Sequence, residues 1–187
     1  MKFRATTIPE VLLVEPEVHR DDRGFFLETY HAGRFESVGI SDTFVQDNHS
    51  RSRRGTLRGL HGQLEHPQGK LVRVVRGEIY DVAVDIRRGS PTFGRFVAMR
   101  LSSENFFELY IPPGFAHGFQ ALSEEAEIVY KCTDLYRPDD EIGICWSDPQ
   151  IGIPWPLEHP MLSEKDRRAP WLAEIEQRLP TYPGTRA

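Results

Sequence analysis

Lys70-Leu71-Val72-Arg73-Val74-Val75-Arg76-Gly77-Glu78-Ile79-Tyr80-Asp81-Val82-Ala83-Val84-Asp85-Ile86 decides the fold class. Both halves are rich in β-branched residues, and Arg76-Gly77 supplies the turn between them. The texture repeats outward in both directions. Residues 25–31, 44–49 and 56–63 precede it, and residues 92–101, 106–111, 117–122 and 127–133 follow. Turns such as Arg88-Gly89-Ser90-Pro91 and Pro112-Pro113-Gly114 punctuate these runs. Only residues 32–38 and about 171–179 read as helical. Many short strands without alternating helices predict an all-β sandwich or barrel of antiparallel strands rather than a doubly wound sheet. The Pro- and Trp-rich stretch 146–160 is expected to wrap that body as ordered coil.

A chain of 187 residues supports one domain with a full core. The expected domain spans 1–187, with a tail from about 160. Asp and Glu number 28 against 23 Lys and Arg, a net charge of -5, which argues against nucleic-acid coating and leaves any basic site local. No run approaches the roughly 20 apolar residues of a membrane helix, and the first residues lack the pattern of a signal peptide. The expectation is a cytoplasmic protein that binds neither membrane nor nucleic acid. Cys132 and Cys145 are the only cysteines, too few for a disulfide framework, and are expected to stay reduced.

Alternation within the strands says which side chains share a face. Lys70 falls with Val72 and Val74, an unusual place for an ammonium, while Leu71, Arg73 and Val75 face the other way. Tyr130 falls with Ile128 and Cys132, and Lys131 points oppositely. A regular strand through 56–63 sets Arg58 and His61 on opposite faces. If both serve one ligand, Gly59 must mark a bulge or sharp twist. Each residue also has a bland reading. His61 fits a hydrogen-bonded structural histidine, Lys70 a strand-end lysine with its head in water, and Tyr130 a core aromatic. Ser163-Glu164-Lys165-Asp166 fits a capping box in which Asp166 only stabilises a helical turn.

Pro112-x-Gly114-x-x-His117 resembles the second metal-binding motif of cupin barrels, but the first motif lacks its ligands. His61 is followed by Gly62 and Gln63, so no His-x-His pair exists and a three-His, one-Glu site cannot be assembled. There is no Gly-x-Ser-x-Gly elbow, Walker loop or dinucleotide fingerprint. The best anion site is the cluster Arg51, Arg53, Arg54 and Arg58. The first three read as solvated surface. Arg58, between Leu57 and Leu60, reads as held in place, and a fixed guanidinium suits a diphosphate.

A set of motifs recurs in a fixed order along the chain: Arg23-Gly24-Phe25-Phe26, Gln46-Asp47-Asn48-His49-Ser50, Leu57-Arg58-Gly59-Leu60-His61, Gln68-Gly69-Lys70, Ser90-Pro91-Thr92-Phe93-Gly94, Pro113-Gly114-Phe115-Ala116-His117-Gly118-Phe119, Tyr130-Lys131-Cys132-Thr133 and Leu162-Ser163-Glu164-Lys165-Asp166. Single motifs are weakly specific, but the ordered set resembles the dTDP-4-dehydrorhamnose 3,5-epimerase family from about Thr6 to Pro170. The resemblance implies a cupin-type jelly-roll barrel with short flanking helices. It also implies metal-free, cofactor-free epimerisation of dTDP-4-dehydro-6-deoxy-D-glucose at C3 and C5, in dTDP-L-rhamnose biosynthesis.

Carried over by position, the resemblance makes His61 the base, oriented by Asp166, and Lys70 the cation facing the sugar's C4 oxygen. Tyr130 returns a proton from the opposite face. Arg58 holds the diphosphate, while His117, Gln46 and Asn48 contact sugar or nucleotide. Phe26 and Tyr136 stack on thymine, with Arg23 and Phe26 delivered by the neighbouring subunit of a homodimer. C3 and C5 adjoin the same carbonyl, so one cation at O4 acidifies both positions, and one base and one acid serve twice.

One position departs from the family, which usually carries Tyr or Phe where this chain has Gly62. The expected consequence is compensation by Phe106 or Phe107, or a changed substrate preference. Epimerases of C3 alone or C5 alone share the catalytic residues, so they remain alternative readings. A non-catalytic sugar-nucleotide-binding cupin is another. The joint presence of His61, Lys70, Tyr130 and Asp166 favours an enzyme, because binding alone needs neither base nor acid.

Overall fold

Two antiparallel sheets face each other in the computed structural model, which describes residues 1–182. The six-stranded sheet has the order β1 (Lys2–Ala5), β2 (Leu12–Glu15), β10 (Glu108–Ile111), β7 (Lys70–Arg76), β12 (Glu125–Cys132), β5 (Gln46–Arg53). The five-stranded sheet has the order β13 (Glu141–Gly143), β6 (Leu57–Gln63), β11 (Phe115–Ala121), β8 (Glu78–Asp85), β9 (Phe96–Ser102). A separate hairpin joins β3 (Val18–Asp21) to β4 (Gly24–Leu27). Three short helices, α1 (Ala32–Glu36), α2 (Glu164–Arg167) and α3 (Leu172–Ile175), flank the sheets. The architecture is the expected all-β jelly roll.

Burial explains why apolar residues occupy both faces of β7 and β8. Between the sheets, Val72, Val74, Ile79, Ala83, Leu109, Phe119 and Ile128 form the central core. Outside the six-stranded sheet, Leu71 and Tyr110 pack under Phe35 of α1. Outside the five-stranded sheet, Val82 and Val84 pack under Ile151, Leu172, Ile175 and Leu179. Central strands covered on both faces cannot show a clean polar alternation. Each fully buried aliphatic side chain contributes about 1.5–3 kcal/mol through the hydrophobic effect.

The C-terminal segment covers that outer layer. Arg88 grips it with Nε–H donated to Leu179 O at 3.1 Å, and its own N–H donates to Pro180 O at 2.7 Å. The 146–160 stretch is ordered as expected. Trp155 packs 5.9 Å from Tyr80 and donates its indole N–H to Trp146 O at 2.8 Å. Of the expected domain 1–187, residues 183–187 lie outside the described part.

Several element boundaries differ from the sequence reading. The 92–101 strand starts only at Phe96, because buried Asp85 accepts hydrogen bonds from Ser90 Oγ at 2.5 Å and Thr92 Oγ1 at 2.6 Å and ties that segment into a turn. The 25–31 strand ends at Leu27, and the 106–111 strand begins at Glu108, after Phe106 with φ 57°. The 171–179 helix is one α turn, Leu172–Ile175, continued by a tighter turn over Glu176–Arg178. β1, β2, β3 and β13 have no counterpart in the sequence reading. Each has three or four residues, too short for periodicity to register.

Candidate active site

Strand pairing sets rows of side chains at one mouth of the sandwich. On the six-stranded sheet, Cys132 lies opposite both Lys70 and Gln46, and Tyr130 lies opposite both Val72 and Asn48. On the five-stranded sheet, His61 lies opposite His117. These rows enclose a cleft of about 800 Å³, lined by Gln46, Asn48, Arg58, His61, Lys70, His117, Tyr130, Tyr136 and Asp166, among others. One site of small-ligand size thus gathers those nine candidates. Arg23 and Phe26 do not line it. They sit on the β3–β4 hairpin, where Arg23 pairs with Asp21 and the Phe26 side chain stands 70% exposed.

Arg58 and His61 reach the same cleft through a bulge. Arg58 pairs with Phe119 and His61 with His117, so β6 carries one residue more than β11 over that span. Gly59 makes this possible. Its φ is 124°, and a Cβ there would stand 2.5 Å from Gly118 Cα and 2.8 Å from His117 O. Arg58 is steadied by donating Nε–H to Ser52 Oγ at 3.0 Å and an Nη2 hydrogen to Arg51 O at 3.3 Å. Arg51, Arg53 and Arg54 are exposed, as their surface reading anticipated.

His61 Nε2 lies 2.6 Å from Asp166 Oδ1. Asp166 is 4% exposed and belongs to α2, whose N-cap is Ser163. Ser163 Oγ accepts the Asp166 N–H at 3.1 Å and donates to Asp166 Oδ2 at 2.8 Å, so the same short turn is capped and holds the carboxyl that meets His61. Burial pushes the Asp166 carboxyl up, but His61, the Ser163 hydroxyl and Lys165 outweigh it and hold it below the usual carboxylate range.

Lys70 is buried, 8% exposed. Desolvation lowers its pKa, opposed only by the charges of Cys132 and Glu141. Burial raises the Tyr130 phenol, reinforced by Cys132, Glu141 and Tyr136 and opposed by Arg58. The ring of His117 lies 6.5 Å from that of Tyr130, and His117 Nε2 is 2.7 Å from Oδ1 of fully buried Asp81.

The sequence reading missed the polar rim. Glu141 Oε2 accepts from Lys165 Nζ at 2.7 Å and from the Tyr136 hydroxyl at 3.0 Å. Burial pushes the Glu141 carboxyl up, but these two donors and the charge of His61 bring it below its ordinary value. Glu141 carries no motif signal of its own, since it lies on β13, a strand of three residues. Ser163 was legible through its capping pattern. Among the described residues, no three His, Cys, Asp or Glu side chains assemble into a metal-binding group.

The compensation expected from Phe106 or Phe107 at Gly62 needs correction. A Cβ there would meet Ile86 Cδ1 at 3.4 Å and Ile142 Cγ2 at 3.6 Å, both in the outer core behind β6. Gly62 lines the cleft, but a side chain there would start toward that outer core, and neither Phe106 nor Phe107 lines the cleft to stand in for a ring. Phe106 instead packs 4.9 Å from Phe25, and Phe107 lies against the central core.

Comparison with known proteins gives a consistent result. The family model described as dTDP-4-dehydrorhamnose 3,5-epimerase matches residues 5–174. The dTDP-4-dehydrorhamnose 3,5-epimerase of Pseudomonas aeruginosa is 56% identical over 178 residues, 94% of this chain and 98% of that protein. That of Shigella flexneri is 58% identical over 168 residues, 89% of this chain and 93% of the relative. The crystal structure of dTDP-6-deoxy-D-glucose-3,5-epimerase from Legionella pneumophila Philadelphia 1, in complex with dTDP-4-keto-L-rhamnose, superposes with a TM-score of 0.95 at 52% identity, covering 98% of this chain and 99% of that one. With the family model spanning most of the sequence and these relatives matched nearly end to end, the chain belongs to the dTDP-4-dehydrorhamnose 3,5-epimerase family and is an epimerase of the isomerase class.

Proposed function

We propose that this protein epimerises dTDP-4-dehydro-6-deoxy-D-glucose at C3 and C5 to dTDP-4-dehydro-L-rhamnose, in dTDP-L-rhamnose biosynthesis. The observation that carries the reading is an opposition across one cleft: His61 stands on the five-stranded sheet, Tyr130 and Lys70 on the six-stranded sheet. Inversion requires a proton to leave one face of a carbon and return to the other, so base and acid must flank the sugar.

His61, oriented by Asp166, removes the proton beside the C4 carbonyl. Lys70 stabilises the enolate at O4, and its burial strengthens that attraction relative to one made in water. Tyr130, whose raised pKa keeps it protonated, delivers a proton to the opposite face. Arg58 holds the diphosphate, and Gln46, Asn48 and His117 contact sugar or nucleotide. Tyr136, anchored by Glu141, stacks on thymine. No step requires a metal or a redox cofactor. The exposure of Arg23 and Phe26 on their hairpin supports a homodimer in which they complete the neighbour's site. The reading takes the chain as a single domain working in the cytoplasm, a location that suits a nucleotide-sugar substrate.

Proton NMR in heavy water with dTDP-4-keto-6-deoxyglucose tests the reading, because each position reports its own carbon. Deuterium should enter at C3 and C5. His61→Ala should abolish exchange, while Tyr130→Phe should retain exchange but lose inversion by about 10²–10⁴-fold. Exchange confined to C3 would reduce the reaction to a single epimerisation. Binding of dTDP with no exchange at either carbon would leave a binding protein only.

A further inference from the structure

The segment 134–137 follows β12 and carries Tyr136, yet neither a strand nor an apolar face holds it. Leu135, Tyr136 and Arg137 are exposed, and among the described residues no backbone–backbone hydrogen bond reaches Asp134, Leu135 or Tyr136. Segments with so few anchors are ordinarily the first to open. Three glutamine side chains supply the anchors instead. Gln68 donates from Nε2 to Asp134 O at 2.8 Å. Gln63 donates from Nε2 to Leu135 O at 3.2 Å and accepts the Arg137 N–H on Oε1 at 2.8 Å. Gln46 accepts the Tyr136 N–H on Oε1 at 2.8 Å.

An amide suits this task, because it donates and accepts at once without carrying charge into a buried position. Gln63 and Gln68 are both buried. Gln63 also donates to His66 O at 2.6 Å, so both its Nε2 hydrogens and its carbonyl oxygen are engaged with main chain. It lines the cleft with its polar atoms already occupied. At the far end of Tyr136, the hydroxyl donates to Glu141 Oε2 at 3.0 Å. The ring is thus tied at its main chain and at its phenol.

We propose that Gln63 and Gln68 are positioning residues for the nucleoside end of the substrate: they hold the main chain of 134–137 so that the Tyr136 ring stands ready to receive thymine. This rests on the stacking role given to Tyr136 above. Preorganisation of this kind acts on binding, since the reacting carbons belong to the sugar and not to the base.

Isothermal titration of the full chain with dTDP, beside steady-state turnover of dTDP-4-keto-6-deoxyglucose, tests it. Tyr136→Ala should weaken dTDP about tenfold or more through loss of the stacking partner. Gln63→Met removes three hydrogen bonds at similar volume, and should weaken dTDP about fivefold and raise KM with kcat within about twofold of wild type. In the Tyr136→Ala background the same change should weaken dTDP no further. Gln68→Met, which removes one bond, should weaken dTDP about threefold and carries the same comparison if Gln63→Met does not fold. A clamp variant that binds dTDP like wild type, or weakens it by the same factor with and without the Tyr136 ring, overturns the proposal. Binding of dTDP that Tyr136→Ala leaves intact overturns the stacking role itself, and the proposal with it.

Discussion

Asp166 Oδ1 meets His61 Nε2 at 2.6 Å although the two residues are 105 positions apart in the chain. The pairing depends on one helical turn. Ser163 caps α2, and the same hydroxyl holds the second carboxyl oxygen of Asp166. A carboxylate held in this way fixes which imidazole nitrogen carries the proton and leaves the other free to act on substrate.

Asp166→Asn keeps the shape of this contact and removes its charge. The kcat should fall by about 10²–10⁴-fold with little change in KM. Stability reports the same contact. The folded pKa of Asp166 is depressed below the unfolded carboxylate value of about 3.9, so its contribution is full above that value and is lost as pH falls through the folded one. The melting temperatures of wild type and Asp166→Asn should differ near neutrality and converge in acid. A gap that stays constant from neutrality into acid would show that the carboxylate charge is not what the fold uses.

Much of this site was legible in the sequence for identifiable reasons. Alternation placed Lys70 and Tyr130 on inward faces, because β7 and β12 are regular over those residues. The conflict between Arg58 and His61, if both serve one ligand, points to a bulge or sharp twist at Gly59, where the structure has a bulge. Glu141 and Lys165 were not legible. Their meeting depends on how β13 and α2 close over the cleft, and short elements with tertiary partners leave no periodic trace. Compensation for Gly62 by Phe106 or Phe107 is not found, because neither ring lines the cleft, and a side chain at 62 would start toward the outer core behind β6.

Gly59→Ala tests the bulge directly. The added methyl would meet the backbone of Gly118 and His117, which cannot move aside without breaking the β6–β11 pairing. Overpacking of this kind costs about 1–3 kcal/mol, and the φ of 124° adds strain. A clear drop in melting temperature, with loss of turnover in whatever remains folded, is the expected result. A variant with wild-type stability and activity would mean that Arg58 and His61 do not need this backbone to share the cleft.

Lys70 should show function opposed to stability. Burial lowers its pKa, so the folded state binds its proton less readily than the unfolded chain, and the ammonium weakens the fold at neutral pH. Lys70→Met removes that cost and keeps a flexible side chain beside Val72. It also removes the only cation placed to stabilise the enolate in the proposed mechanism. The melting temperature at neutral pH should therefore rise while turnover falls by about 10²–10³-fold. The gain in stability should shrink as pH climbs from the lowered folded value toward the unfolded lysine value of about 10.4, because the ammonium then loses its charge in both states. Calorimetry of the two proteins across that range checks the sign. A Lys70→Met variant less stable than wild type at neutral pH would mean that the ammonium is satisfied in the resting site, and its proposed role at O4 would lose its physical basis.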